Sequence, residues 1–175
     1  MKKPIIGIIA GAGPYAGLDL AAKILEQTNA RSDQDYLPVY SVSTPSKIED
    51  RTRFLLGESD ENPAYALARN FLELQAMKAT LIGLPCNTAH AATILDVFHA
   101  EIAPHITSAR YLDMIQETVK FIGSECPGVK KLGILSTLGT WKAGFYPELL
   151  EVEGYHTLVL DEQQQRQIHE ESLFH

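Results

Sequence analysis

Residues 79–98 read ATLIGLPCNTAHAATILDVF and combine a short apolar run, a polar turn and an amphipathic segment. The run TLIGLP is typical of a strand buried inside a sheet. Apolar residues then recur at helical spacing, which predicts a helix from just after Cys86 to about Ala103. Cys86 therefore lies in the turn between a strand and a helix. In a parallel α/β sheet, ligands bind at this edge.

The same alternation of strand and helix extends along the whole chain. The predicted strands are PIIGIIAG, LPVYSVST, TLIGLP, the start of SARYLDM, KKLGILST and HTLVL. The predicted helices cover residues 16–30, 64–79, the segment after Cys86, the segment after SARYL, 140–154 and 161–175, and 45–62 is predicted to be a polar loop. Alternating strands and helices predict an α/β protein built from parallel units.

Two similar lobes are predicted, because the composition changes near Pro104. We expect a first lobe at 1–104 and a second at 105–175, each with a short parallel sheet flanked by helices. The segments PIIGIIAGAGPYAG and KKLGILSTLGTWKAG also match weakly, since both place an apolar strand with an internal glycine before a small-residue turn. That match suggests duplicated half-units.

The composition excludes several classes of protein. Of 175 residues, 45% are hydrophobic and 21% charged, and the net charge of -7 disfavours binding to nucleic acid or to an anionic membrane. Two cysteines do not form a disulfide scaffold in a chain of this size. The apolar start is short and breaks into a Gly-Pro turn without a cleavage site, so it predicts a first strand and a cytoplasmic protein rather than a signal peptide.

A glycine-rich turn follows the first strand. Gly11 and Gly13 suggest a dinucleotide motif, but Gly17 comes one residue too late for G-x-G-x-x-G, and no acidic residue ends the second strand. Two other interpretations stay open. The backbone amides around Ala12 could approach a smaller anion at the start of the helix, or the glycines could serve only a sharp turn.

Arg51 lies in the polar segment IEDRTRFLLG after the second strand. A guanidinium in such a position can bind a carboxylate through two parallel hydrogen bonds. The alternative is a solvated charge cluster in which Arg51 and Arg53 pair with Glu49 and Asp50. Residue types alone favour the charge cluster.

Cys86 is the main candidate for chemistry. A thiol at the start of a helix lies near the positive end of the helix dipole, which favours the thiolate. Asn87 and Thr88 are expected to cap this helix, and their amides offer donors to a carboxylate. His90 could orient or polarise the site, although for this histidine alone a structural hydrogen bond is the favoured interpretation. The alternative for Cys86 is a small buried hydrophobic residue.

Four motifs, taken in order, resemble one known family. PCNTAH resembles the first cysteine motif of the aspartate/glutamate racemases that work without pyridoxal phosphate, and IIGIIAGAGPYAG resembles their opening strand and glycine turn. KIEDRT is similar to their Asp-Arg-Thr loop, and KKLGILSTLGTWKAGFY to their glycine-threonine segment. The resemblance covers nearly the whole chain and is strongest to the aspartate racemase branch.

The resemblance implies a reaction and a set of roles. Members of the family use two cysteines on opposite faces of an amino acid, one to remove the α-proton and one to return a proton, with neither metal nor cofactor. Cys86 would be one of these acid/base groups. Asn87 and Thr88 would hold the α-carboxylate, Arg51 the side-chain carboxylate, and residues 11–13 would line the same site.

The chain also departs from the family pattern. The G-G-M-G-P turn is AGAGP here, and the chain reaches His175 before the L-G-C-T-E motif of the second cysteine or the family lysine. Cys126 lies before a strand, at the opposite rim of a parallel sheet from Cys86, so it is not expected to replace the second cysteine. The second lobe is thus expected to be incomplete, and a homodimer is expected to cover its exposed apolar face.

Two interpretations of function follow from these observations. The first is racemisation of an acidic amino acid, with aspartate favoured by the Asp-Arg-Thr loop, and with activity impaired by the missing cysteine. The second is an inactive racemase-like chain that binds a small dicarboxylate or serves as an assembly partner. Decarboxylation of a malonate and isomerisation of a maleate are related cysteine chemistries on similar scaffolds.

Overall fold

The computed structural model describes residues 3–172 as an α/β protein with two parallel sheets. The strands are β1 Ile6–Ala10, β2 Val39–Ser43, β3 Leu81–Gly83, β4 Arg110–Leu112, β5 Lys131–Ile134 and β6 His156–Val159. The first sheet has the order β2-β1-β3-β4, and the second contains β5 and β6. All neighbouring strands are parallel, so the predicted fold class is confirmed.

The helices flank both sheets. They are α1 Pro14–Glu26, α2 Arg51–Leu56, α3 Ala64–Ala76, α4 Ala92–Ile102, α5 Met114–Glu125, α6 Leu138–Ala143, α7 Phe145–Val152 and α8 Glu162–Ser172. The last three residues of the predicted C-terminal helix lie outside the described residues. Within 3–172, none of these helices has the length and hydropathy needed to cross a membrane.

The polar loop predicted over 45–62 is partly wrong, because α2 forms inside it. Asp50 caps this helix by accepting a hydrogen bond from the Arg53 amide at 2.8 Å. Gly57 ends the helix with a left-handed φ of 78°. Phe54 and Leu55 pack against the core of the first sheet, so α2 is fixed by burial as well as by its caps.

Two other predicted helices have different boundaries. The single helix predicted over 140–154 is two helices, α6 and α7, because Gly144 has a φ of 70° and interrupts the hydrogen-bond pattern. The helix predicted directly after Cys86 begins at Ala92, behind a 3₁₀ turn at Thr88–His90. Ala91 precedes α4 without a side-chain cap, so the expected capping by Asn87 and Thr88 is also wrong.

The core lies between the first sheet and the helices α3 and α4. The buried apolar residues of α3 include Leu67, Phe71 and Leu74, at helical spacing on one face. Phe71 meets Phe98 of α4 edge to face, with ring centroids 5.9 Å apart. On the other side, α1 packs closely on β1, since a Cβ at Gly17 would come within 2.5 Å of the Ala10 Cβ.

The second sheet is far less covered than the first. On β6, Leu158 is 54% exposed and Val159 51%, and Leu135, directly after β5, is 70% exposed, although apolar side chains of a parallel sheet are usually packed. Strand β4 lies after the predicted lobe division at 104 but pairs with β3, so the first sheet draws on residues from both sides of that division. These side chains leave an apolar surface along β6 and at the end of β5.

Candidate active site

The carboxyl ends of the parallel strands bring the sequence motifs to one edge of the first sheet. β1 ends at Ala10 and passes into the glycine turn, and β3 ends at Gly83 just before Cys86. β4 ends at Leu112 and is followed by Asp113. Because β1, β3 and β4 are hydrogen-bonded neighbours, these three turns lie side by side. This edge is the candidate site.

The glycine turn is held against the end of β2. Gly11 has a φ of 90°, and a Cβ there would lie 2.8 Å from the Thr44 backbone nitrogen. Gly13 has a φ of 143° and precedes α1 without a side-chain cap. Both conformations are unfavourable for residues with a side chain, so the turn needs glycine at these positions.

Arg51 reaches this turn from the start of α2. Its Nη2 donates to the Ala12 carbonyl at 3.0 Å and its Nη1 to the Glu49 carbonyl at 3.3 Å. Its Nε is buried without a hydrogen-bond partner. The ion pairs of this segment belong to Arg53, which lies 3.8 Å from Glu49 and 3.7 Å from Glu58. No carboxylate within residues 3–172 lies at ion-pair distance from Arg51.

Thr88 joins the two sheets. Its hydroxyl lies 2.9 Å from those of both Thr137 and Thr140, which are 3.1 Å from each other. Three hydroxyl hydrogens suffice for the three bonds of this ring. Beside the ring, a Cβ at Gly139 would lie 2.8 Å from the Thr52 Oγ1 and 2.9 Å from the Thr88 Cγ2. The glycine thus lets α6 lie directly on α2 and on the turn after Cys86.

Asn87 is exposed and contacts the second sheet through Tyr146. The Tyr146 hydroxyl donates to the Asn87 Oδ1 at 2.5 Å. Burial, together with the charge of Asp113, raises the pKa of Tyr146 to about 12, so the phenol stays protonated near neutral pH. A cavity of about 210 Å³ opens here, lined by Asn87, Ser136, Tyr146 and apolar residues of β5 and its neighbouring helices.

Cys86 is half-buried and its backbone is held by a histidine. The Cys86 amide donates to the Leu84 carbonyl at 2.9 Å. The Cys86 carbonyl lies 2.8 Å from the Nδ1 of His90, whose Nε2 lies 2.9 Å from the Tyr111 hydroxyl. The position of His90 is therefore consistent with the expected structural hydrogen bond. Its partner is the backbone of Cys86, the candidate reactive residue.

His90 is buried, and among the described residues one carboxylate, that of Asp113, lies near it. Burial lowers its pKa below the ordinary 6.5, and the Asp113 charge opposes this in part. The Nε2 of His90 and the Oδ1 of Asp113 are 3.9 Å apart. Burial also raises the pKa of Tyr111, so that phenol stays protonated. Near neutral pH, His90 is therefore an uncharged imidazole.

The second cysteine lies away from this edge. Cys126 caps the carboxyl end of α5, where its amide donates to the Ile122 carbonyl at 3.0 Å. It precedes β5, so it lies on the amino-terminal side of that strand, whereas Cys86 follows the carboxyl end of β3. Within residues 3–172 both cysteines are free thiols, and no disulfide joins them.

Several residues of this site were not singled out from the sequence. Thr137, Thr140 and Tyr146 lie in the KKLGILSTLGTWKAGFY motif, but only their contacts across the sheets reveal a role. Tyr111 and Asp113 could have been found, because they end a strand parallel to β3 and must share its edge. In the described part of the chain, no three His, Cys, Asp or Glu side chains gather as a metal site.

Comparison with known proteins assigns a family to this arrangement. The model of the Asp/Glu/hydantoin racemase family matches residues 9–174. This chain belongs to that family. It is 30% identical over 167 residues to the broad specificity amino-acid racemase RacX of Bacillus subtilis (strain 168), an alignment that covers 92% of this chain and 66% of that protein.

Solved structures of racemases share the fold. An aspartate racemase from Picrophilus torridus matches with a TM-score of 0.76 and 27% identity, over 94% of this chain and 65% of its own. An aspartate racemase homologue from Pyrococcus horikoshii OT3 matches with a TM-score of 0.68 and 25% identity, over 97% of this chain and 69% of its own. The chain thus spans about two thirds of the length of these racemase relatives.

Lowering the pH should destabilise the folded chain through His90. The unfolded chain binds a proton at this imidazole below about pH 6.5, whereas the folded chain binds it only at lower pH. The free energy of unfolding therefore falls as the pH drops from about 6.5 towards the folded pKa, by at most about 1.4 kcal/mol per pH unit. His90→Asn, measured by urea unfolding, should lose this dependence.

The exposed His105 provides the matched control. His105→Asn should keep the pH profile of the wild type. Parallel profiles for the wild type and His90→Asn would contradict the lowered pKa.

Proposed function

We propose that this chain exchanges the α-proton of an acidic amino acid, with Cys86 as the base and with neither pyridoxal phosphate nor a metal. Aspartate is the favoured substrate and glutamate the second. Racemisation is the full reaction, and exchange of the proton on one face is its first half. The cytoplasm is the proposed location, because a site that works through a free thiol needs a reducing compartment.

The main support for this proposal is that the guanidinium of Arg51 has no carboxylate partner among the described residues. A half-buried guanidinium usually has a carboxylate partner, and none lies at ion-pair distance within residues 3–172. Its Nε is buried and unpartnered, and its Nη groups meet only carbonyl oxygens. A ligand carboxylate would supply the missing charge and acceptor. This supports Arg51 as the group that holds the side-chain carboxylate beside residues 11–13.

The turn after Cys86 supplies donors for the α-carboxylate. The backbone amides of Asn87 and Thr88 have no backbone acceptor among the described residues. The Thr88 hydroxyl is occupied in the threonine ring, so we assign its amide rather than its hydroxyl to the ligand. Tyr146 holds the Asn87 Oδ1, which leaves the Nδ2 hydrogens for a carboxylate. These donors would stabilise the charge that develops when the α-proton leaves.

The proposed step balances without a cofactor. The Cys86 thiolate takes the α-proton, and the electron pair of the broken C–H bond moves into the α-carboxylate. A proton returned to the same face restores the L-amino acid with hydrogen from solvent. A proton returned to the opposite face gives the D-amino acid. The second outcome requires an acid on that face, supplied by a partner chain or by another residue.

A second function uses the same residues without turnover. The chain would bind a small dicarboxylate, with Arg51 and the amides as its donors, or act in an assembly. The position of Cys126 favours this alternative, because that thiol lies on the amino-terminal side of β5 and is not placed to serve as the second acid. The donors around Cys86 favour the enzyme. A measurement of α-proton exchange distinguishes the enzyme from a protein that only binds or assembles.

Substitution of Cys86 tests the proposed base. We expect the Cα–H signal of L-aspartate, followed by proton NMR in D₂O, to decay with the wild type and to persist with Cys86→Ala. Cys126→Ala is the matched control and should exchange like the wild type. Product chirality then separates inversion from retention. If the Cα–H signals of both L-aspartate and L-glutamate persist with the wild type, the proposed enzymatic activity is wrong and dicarboxylate binding is the supported function.

Substitution of Arg51 tests the carboxylate site. Arg51→Lys keeps the charge but loses the planar pair of donors, so we expect kcat/KM for proton exchange to fall about 10- to 100-fold. Arg53→Lys is the control, since Arg53 is exposed and pairs with Glu49 and Glu58. If the chain only binds, the same loss appears in the affinity for succinate measured by calorimetry. If Arg51→Lys and Arg53→Lys have equal effects on proton exchange and on succinate affinity, Arg51 does not hold the side-chain carboxylate.

We also propose a homodimer that covers the exposed second sheet. Leu158 is 54% exposed on β6 and Leu18 is 67% exposed on α1. We expect the wild type to sediment as a dimer at micromolar concentration and Leu158→Lys as a monomer, since a lysine charge in an apolar interface is costly. Leu18→Lys should remain dimeric. If the wild type is a monomer, or if only Leu18→Lys dissociates the dimer, then β6 does not form the proposed interface.

A further inference from the structure

We propose that Tyr111 is a positioning residue for Cys86 and acts by selecting the tautomer of His90. Its importance for proton exchange depends on the proposed function, whereas the effect on His90 can be measured without any substrate.

The hydrogen bonds around His90 fix its tautomer. The Cys86 carbonyl can only accept, so at 2.8 Å the Nδ1 of His90 must carry the hydrogen. In the uncharged imidazole the Nε2 is then an acceptor. The Tyr111 hydroxyl, 2.9 Å away, is the donor. One phenol hydrogen therefore supports the tautomer that holds the backbone of Cys86.

Asp113 is the competing partner of the same Nε2. Its Oδ1 lies 3.9 Å from that atom and is an acceptor, so it favours the opposite tautomer, in which Nε2 carries the hydrogen. That tautomer would turn the Nδ1 lone pair towards the Cys86 carbonyl and break the bond. Asp113 is weakened as a competitor, because its Oδ1 already accepts from the amides of Ile115 and Gln116.

Tyr111 is well placed for this role. Its ring packs against Phe98, with centroids 5.1 Å apart, and against His99, with centroids 5.3 Å apart. Among the described residues, the titratable side chains facing His90 are those of His99, Tyr111 and Asp113, and Cys86 meets it through the backbone carbonyl. Of these, only the phenol donates a hydrogen to Nε2 at a hydrogen-bond distance. The ring contacts keep the hydroxyl aimed at the imidazole.

Histidine ring ¹⁵N NMR of the whole protein tests the tautomer. The wild type should show His90 with hydrogen on Nδ1, and Tyr111→Phe should shift it towards hydrogen on Nε2. Adding Asp113→Asn to Tyr111→Phe should restore the first tautomer, since the competing charge is gone while an asparagine still caps α5. Tyr40→Phe, on β2, is the control and should match the wild type. An unchanged tautomer in folded Tyr111→Phe overturns the inference.

Two readouts connect the tautomer to Cys86. Alkylation of Cys86 by iodoacetamide, with Cys126 as the internal reference, should change in Tyr111→Phe and return in the double variant. In proton exchange, kcat should fall about tenfold with KM nearly unchanged, because one positioning hydrogen bond is lost and no substrate contact is touched. If the tautomer shifts but the rate of Cys86 alkylation does not change, Tyr111 does not position Cys86, and the inference is overturned.

The two proposals fail in different ways. If the wild type exchanges no proton, the proposed function is wrong. The NMR measurement of the His90 tautomer and the alkylation rate of Cys86 still test the role of Tyr111. If wild type exchanges protons and Tyr111→Phe has the same tautomer and the same kcat, only the role of Tyr111 falls. Should Tyr111→Phe not fold, Asp113→Glu in the wild-type background lengthens the competing carboxylate and should shift the same tautomer.

Discussion

A single close contact fixes how the two sheets meet. Gly139 leaves no room for a Cβ against Thr52 and Thr88, so α6 lies directly on α2 and on the turn that follows Cys86. The hydroxyls of Thr88, Thr137 and Thr140 close a ring at the same place. Buried hydroxyls are costly when unpaired, and the Thr88 hydroxyl finds its two partners only when the second sheet is in place. The positions of Arg51 and Asn87 relative to each other depend on this contact.

The site is built largely from backbone groups held by side chains of other elements. Arg51 donates to the carbonyl of Ala12, and His90 donates to the carbonyl of Cys86. Tyr146 orients the amide of Asn87 from the second sheet. Such bonds fix the direction of each group at little cost in charge burial. They also leave unpaired those donors that a carboxylate ligand would need.

The sequence predicted the strands better than the site, for a physical reason. Apolar runs such as TLIGLP mark a buried strand by themselves, and parallel order then brings Cys86 and residues 11–13 to one edge. Helix α2 was missed because its short sequence resembles a charged loop, and its caps at Asp50 and Gly57 decide the outcome. The bond between Thr88 and Thr137 spans 49 residues, and no local pattern encodes such a distance. The proposed tautomer of His90 likewise depends on a tyrosine of β4, outside the turn that carries the imidazole.

Across residues 3–172 the second sheet consists of β5 and β6, and a two-stranded sheet is marginal in water without further packing. Its order therefore depends on neighbours, such as the fully buried Gln165 of α8, whose side chain donates to the Ser136 carbonyl at 2.6 Å. Local opening would begin there, with a free energy below that of global unfolding. Amide protection against hydrogen exchange should then decline from α3 and α4 towards β6. A ligand bridging both sheets would suppress that opening, so occupancy and local stability are coupled.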